Sequence, residues 1–142
     1  MSTAVIVQIA DKIMSDLGAG YSESIYQNAI FRKLILLDET SCMEKIIPVV
    51  YEGDMLGSCR ADIVTMSHVV EVKAVRKMPS GAGKQVCKYL KHLEEADGLL
   101  RTGLVVNFNQ DTEKLESMEF RNESSTESMP EAKRRKFVPA DG

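Results

Sequence analysis

The sequence predicts an α/β domain in which helices flank a mixed β-sheet. Two stretches with helical apolar periodicity open the chain, three strand-like apolar segments follow, and a third helical stretch precedes a further apolar strand. A chain of 142 residues is long enough for one domain that buries a core without disulfides. Hydrophobic residues make up 44% and charged residues 27%, which excludes collagen-like and wholly disordered chains.

Three helices are predicted from apolar residues that repeat at intervals of three or four. The first covers about Thr3 to Leu17, the second begins near Ser22, a suitable N-cap, and the third covers about Lys84 to Ala96. The apolar stripes expected to face the core are Ile6, Ile9, Ile13 and Leu17, then Tyr26, Ile30, Leu34 and Leu37, and finally Val86, Leu90 and Leu93.

Five apolar segments have the length and composition of strands. The first contains Pro48, which cannot donate a hydrogen bond to a neighbouring strand, so we expect an edge strand or a bulge there. The predicted strands cover about Glu44 to Tyr51, Leu56 to Val64, His68 to Val75, Gly103 to Phe108 and, more weakly, Leu115 to Phe120.

The composition changes at Asn122, where Ser, Glu, Pro and Lys replace the apolar periodicity. We therefore predict one domain over residues 1–121 and a disordered tail over residues 122–142. A basic run in the tail is either a solvated segment or a nuclear localisation signal or nucleic-acid arm. This run consists of Lys133, Arg134, Arg135 and Lys136.

Net charge and cysteine usage exclude several classes of protein. The formal net charge of -3 excludes a histone-like binder, so any contact with nucleic acid needs a local basic patch. Cys42, Cys59 and Cys87 lack the spacing of metal ligands and are predicted to be reduced thiols of an intracellular protein, cytoplasmic or nuclear. No apolar run approaches the ~20 residues that cross a bilayer, so no membrane contact is expected.

The second and third predicted strands carry the most informative residues. In a symmetric hairpin Asp62 faces Glu71 with the two Cβ atoms roughly 5 Å apart, and Lys73 lies on the same side. Opposed like charges destabilise a strand pair, and a divalent cation such as Mg²⁺ neutralises them. The opposite side is predicted to be core and carries Ala61, Ile63, Val70 and Val72.

Two further features point to the same site, and each has a plain structural alternative. Glu23 heads the apolar stripe of the second helix and is predicted to point along its buried side as a third carboxylate. An acid in a first helical turn also favours the helix dipole by about 0.3–1 kcal/mol. Gln85 and Tyr89 share one face of the third helix, where they are either functional or ordinary surface residues. The Glu71 and Lys73 pair is itself common on solvent-facing strands.

A local basic face begins at the proposed active strand. Six Lys or Arg residues and no acid lie between Val72 and Leu93, which suits a phosphodiester substrate. A solvated helix face is the alternative, although such faces usually mix both signs of charge. The candidate nucleic-acid contacts of this region are Arg76, Lys77, Lys84, Lys88, Tyr89 and Lys91.

Together these residues resemble the GxxExxY proteins, a branch of the PD-(D/E)XK nuclease superfamily. The resemblance covers roughly residues 3 to 121, and Ala61 replaces the proline of the superfamily's name. The motifs that carry it are Gly20-Tyr-Ser-Glu23-Ser-Ile-Tyr26, then Arg60-Ala-Asp62 with Glu71-Val-Lys73, then Gln85, Tyr89 and Leu90, and finally Val105-Val-Asn107-Phe108.

The resemblance implies a restriction-endonuclease-like core and a Mg²⁺- or Mn²⁺-dependent nuclease that hydrolyses DNA with a metal-activated water. It implies Asp62, Glu71 and Glu23 as metal-site carboxylates, Lys73 beside the attacked phosphate, and Gln85 in support. Two alternatives stay open: a non-catalytic nucleic-acid-binding module and a protein-interaction module that keeps the nuclease fold. A homodimer is also compatible with the sequence.

Overall fold

A computed structural model describes residues 1–121 as a five-stranded sheet with helices on both faces. The predicted fold class and order of elements are confirmed, with helix and strand ends shifted by no more than two residues. The predicted tail and its basic run lie outside the described residues, so the domain division stays a prediction. The elements are α1 (Thr3–Leu17), α2 (Glu23–Leu37), β1 (Cys42–Tyr51), β2 (Asp54–Val64), β3 (His68–Lys73), α3 (Ala82–Asp97), β4 (Thr102–Phe108) and β5 (Leu115–Arg121).

The sheet order follows the chain from β1 to β5. Only β3 and β4 run parallel in this sheet, because α3 carries the chain back between them, and the other neighbouring strands are antiparallel. β1 is an edge strand whose register shifts between Val49 and Val50, next to Pro48. Both features predicted from that proline are therefore present.

Each face of the sheet has its own hydrophobic core. α1 and α2 cover one face, where they pack on Ile63, Val70 and Val72. α3 covers the other face and packs on Val64 and Val69. α3 therefore partly covers the face with the predicted carboxylates. The sequence analysis predicted a core on the opposite face only, and that prediction was too simple. Ala61 belongs to the core under α3 and not, as predicted, to that of Ile63.

The close packing of α3 on β4 depends on Gly103. A Cβ atom at this position would collide with the side chain of Val86 and lie 3.1 Å from Leu90 Cδ1. The predicted stripe of α3 is buried at this contact. In α1 and α2 the stripes are buried or partly buried except for Leu17 and Leu37, which are exposed because each is the last residue of its helix.

Tyr26 fixes the start of α2 to the end of the sheet. Its hydroxyl donates to the carbonyl of Gly18 at 2.6 Å, and its ring stacks on Phe108 with centroids 4.2 Å apart. The backbone N–H of Gly20, where φ is 106°, donates to Gln110 at 2.7 Å. The turn between α1 and α2 therefore has one defined position, and it sets where Glu23 lies.

Cys42, Cys59 and Cys87 form no disulfide within the part of the chain that the structure describes. Within residues 1–121, no helix combines the length and the apolar character that a membrane span needs.

Candidate active site

The backbone hydrogen bonds between β2 and β3 stop at Asp62 and Glu71, where carboxylate side chains accept from the backbone N–H groups instead. Ile63 pairs with Val70 in the predicted register. One residue further, the N–H of Asp62 donates to Glu71 Oε1 at 2.9 Å, and the N–H of Val72 donates to Asp62 Oδ2 at 2.9 Å. Each carboxylate thus satisfies a backbone donor that a regular ladder would have paired. The two carboxylates therefore lie between the strands, and they belong to the two residues that the sequence predicted.

Both carboxyl groups are shifted toward their neutral forms. Glu71 is only 4% exposed, and burial, followed by the charge of Asp62, raises its pKa to about 8. Burial also raises the pKa of Asp62, against the hydrogen bond from the Val72 N–H, and the charges of Glu44 and Glu23 raise it further. Two acids placed this closely favour any group that brings positive charge between them.

Lys73 supplies positive charge beside this pair. It ends β3, is half-buried, and its charge lowers the pKa of both Asp62 and Glu71. The chain after it is fixed by the buried Asn107, whose amide accepts from the Val75 N–H at 3.0 Å and donates to the Val75 carbonyl at 3.2 Å. The Asn107 position in the closing-strand motif therefore has a structural role next to the site.

Glu23 lies at the first position of α2, and its side chain is exposed. The prediction that it points along the buried side was wrong, because the buried stripe begins one turn later at Tyr26. It nevertheless lies on the site's side of the helix, since its charge contributes to the raised pKa of Asp62. Its role as a ligand stays a prediction.

Sequence reasoning missed two residues, Glu44 and Gln27. The flanking pairs of β1 and β2, Met43 with Ile63 and Lys45 with Ala61, place Glu44 opposite Asp62. Gln27 Nε2 donates to Glu44 Oε1 at 3.0 Å and to the Asp62 carbonyl at 3.1 Å. The register of β1 against β2 was the missing signal for Glu44. Gln27 directly follows the motif tyrosine, and a glutamine at this position does not by itself indicate a functional residue.

Glu44 has a left-handed backbone, with φ of 58°, inside a strand. This conformation costs on the order of 1–3 kcal/mol for a residue other than glycine. Its Oε2 lies 3.9 Å from Arg60 Nε, but that pair is largely exposed and contributes little. The local strain coincides with the position that faces the carboxylate pair.

Gln85 and Tyr89 lie together on α3, as their spacing predicted. Tyr89 is buried, and burial, followed by the charge of Glu71, raises the pKa of its hydroxyl to about 12, against a hydrogen bond with Gln85. Gln85 is exposed and lines an open groove of about 530 Å³. This groove is lined by Cys59, Gly81, Lys84, Gln85, Lys88 and Tyr89.

The five predicted basic contacts are all exposed. Lys84 and Lys88 line the groove, next to Tyr89. Arg76 and Lys77 lie in the segment between β3 and α3, and Lys91 lies one turn beyond Lys88 on α3. Two of the lysines therefore line the groove with Tyr89, whereas the other three basic residues do not line it.

The donor set suits a hard divalent cation. Among residues 1–121, no group of three or more His, Cys, Asp or Glu side chains is arranged to hold a metal ion. Mg²⁺ needs no such cage, since it takes one or two protein carboxylates and completes its shell with water and phosphate oxygens. Asp62 and Glu71 provide that pair, with Asp62 Oδ1 and Glu71 Oε2 as the candidate ligand atoms beyond those used by the backbone N–H groups.

Comparison with known proteins identifies one protein family. The family model of the PD-(D/E)XK nuclease superfamily matches residues 1–120. No curated protein is significantly similar to the chain. Among solved structures, one similar fold is that of the crystal structure of SSO0001, with a TM-score of 0.47 and 16% sequence identity. The alignment covers 83% of this chain and 56% of that chain, so this chain spans little more than half of that protein.

Proposed function

The chain belongs to the PD-(D/E)XK nuclease superfamily, and from this premise we propose that it is a Mg²⁺- or Mn²⁺-dependent nuclease that hydrolyses phosphodiester bonds in DNA. The observation that carries the proposal is the interlocked pair of Asp62 and Glu71 between β2 and β3, with Lys73 beside it. The pKa values of both carboxyl groups are raised, and a cation that also binds phosphate oxygens would relieve the repulsion between the two carboxylates.

The proposed roles follow from the position of each side chain. Asp62 and Glu71 hold the cation, and Glu23 binds from the start of α2, directly or through water. A divalent cation held there would supply a lowered pKa for an attacking water and would offset negative charge on the phosphate. Lys73 stabilises negative charge that develops on the phosphate and orients the nucleophile. Gln85, which lines the groove along α3, assists in support of the site.

The surface beside the pair supports a nucleic-acid substrate. Lys84 and Lys88 line the same groove as Tyr89 and are free to neutralise phosphates along a backbone. Arg76, Lys77 and Lys91 extend the positive charge on the adjoining segment and helix. Because these contacts are to phosphates, they support DNA binding without reading the base sequence.

A cleavage assay tests the proposal. Wild-type protein is incubated with plasmid and with labelled oligonucleotides in Mg²⁺, in Mn²⁺ and in EDTA. We expect products with metal only, and a loss of cleavage in Asp62→Asn and in Lys73→Ala. Asp54→Asn, which changes an exposed acid at the distant hairpin turn, is the matched control and should cut normally. Lys73→Ala cutting as fast as wild type would refute the assignment.

The exposed lysines of α3 favour one alternative function, a non-catalytic nucleic-acid-binding module. Such a module would bind labelled DNA equally well in EDTA and would give no products with either metal. The cleavage assay and a binding assay on the same samples therefore separate the two functions.

A further inference from the structure

Glu44 is held by more contacts than a solvent-exposed acid on an edge strand needs. Its Oε1 accepts from Gln27 Nε2 at 3.0 Å, and the same nitrogen donates to the Asp62 carbonyl at 3.1 Å. Gln27 is only 6% exposed, so a buried amide of α2 links the side chain of Glu44 to the backbone of Asp62. This contact fixes where the Glu44 carboxylate lies relative to the catalytic pair.

The electrostatics at this position oppose a purely structural role. Glu44 lies opposite Asp62 in the register of β1 and β2, and Asp62 is hydrogen-bonded into the pair with Glu71, so the three acids repel one another in the absence of a counter-charge. Lys73 is the cation that acts on both members of the pair. Arg60, at 3.9 Å from Glu44, is 63% exposed and is well screened by solvent.

The backbone of Glu44 also departs from the strand. Its φ of 58° lies in the left-handed region, although the residues on both sides pair regularly with β2. A strained backbone that persists in a regular strand is held by its surroundings, and such residues cluster at functional sites. Here the buried amide of Gln27 is the contact that holds the side chain.

We propose that Glu44 takes part in cation binding at this site, as a carboxylate from β1 that acts together with Asp62 and Glu71. This inference rests on the proposed function. Glu44 adds negative charge beside the ion and an acceptor for its water shell, while Gln27 acts as a positioning residue for Glu44.

The test is Mn²⁺ binding by calorimetry, together with melting temperatures measured in EDTA and in Mn²⁺. The variants are Glu44→Gln, which keeps the shape and the acceptor for Gln27, and Asp62→Asn. Glu52→Gln is the matched control, because Glu52 is also an exposed glutamate with a positive φ of 50°, but it lies at the distant end of the β1–β2 hairpin.

We expect Glu44→Gln to weaken Mn²⁺ binding by about tenfold or more, as for residues around a metal's direct ligands. Its melting temperature in EDTA should stay level or rise, because a repulsive charge is removed, while the Mn²⁺-induced rise in melting temperature shrinks. Glu52→Gln should match wild type in every measurement.

Two results would overturn the inference alone: Glu44→Gln binding Mn²⁺ like wild type while Asp62→Asn does not, or Glu44→Gln melting well below wild type in EDTA, which indicates a structural role. Wild type that binds no Mn²⁺, with or without DNA, would overturn the proposed function as well. The failures of the two proposals are therefore distinguishable.

Discussion

At the scale of single residues, Glu71 introduces unfavourable electrostatic energy between β2 and β3. Its carboxylate takes the N–H of Asp62, so the backbone is satisfied, yet the charge is buried and faces a second acid. A protein without a use for this charge would gain by replacing it with an apolar side chain. The presence of the buried pair therefore indicates a function, because its burial alone would only destabilise the fold.

The raised pKa of Glu71 predicts how stability depends on pH. Its pKa is about 8 in the folded protein against 4.5 ordinarily, so between these values the folded state holds a proton that the unfolded state has lost. The free energy of unfolding in EDTA should therefore fall as pH rises from about 4.5 to 8, by at most about 1.4 kcal/mol per pH unit from this group.

Urea unfolding at several pH values in that range measures the effect. Glu71→Gln should flatten the profile and be more stable than wild type near pH 8. Mn²⁺ should stabilise wild type most at the alkaline end, because the ligand must be deprotonated to bind. A wild-type profile that rises with pH over this range would contradict the prediction.

At the scale of elements, the position of α3 decides whether Gln85 and Tyr89 reach the carboxylate pair. The helix lies close to β4 because Gly103 has no side chain. Sequence periodicity predicted α3 and its buried stripe, but it contains no information on the distance between a helix and a sheet. Only the structure could show that Tyr89 lies where the charge of Glu71 raises the pKa of its hydroxyl.

Gly103→Ala should separate α3 from the sheet. The new Cβ collides with Val86, and overpacking of this kind costs about 1–3 kcal/mol. Chemical denaturation measures the loss of stability, and DNA binding should weaken because the groove lies on α3. Gly57→Ala in β2 is the control: a Cβ there meets nothing within 4 Å, so stability should hold or increase slightly.

At the scale of the whole molecule, the fold and the central pair were predictable, while the surroundings of the pair were not. The register of β2 against β3 followed from alternation, so Asp62 and Glu71 were identified correctly as neighbours. Glu44 was missed because its position depends on how β1 pairs with β2 at a residue with φ of 58°, which composition does not indicate. Glu23 was predicted to point along the buried side of α2, but its side chain is exposed because the buried stripe starts only at Tyr26.

Under the proposed function, the charge of the whole chain makes DNA binding a local property. With a net charge of -3, the overall field does not attract a polyanion, so binding must depend on the lysines beside the groove. We expect catalytically inactive Asp62→Asn protein, held in Mg²⁺, to bind DNA with an affinity that falls steeply with salt. Each neutralised phosphate contributes a slope of about −0.9 in log affinity against log salt concentration.

Adding Lys84→Gln and Lys88→Gln to that protein should reduce the slope by about 1 for each lysine and weaken binding to all sequences alike. Lys12→Gln is the control, because Lys12 is an exposed lysine on α1 that pairs with Asp16 at 3.0 Å, on the face of the sheet opposite α3. Fluorescence anisotropy over a series of salt concentrations gives the slopes. If the Lys84 and Lys88 changes leave the slope unaltered, the groove does not contact the phosphate backbone, and the DNA path must run along other residues.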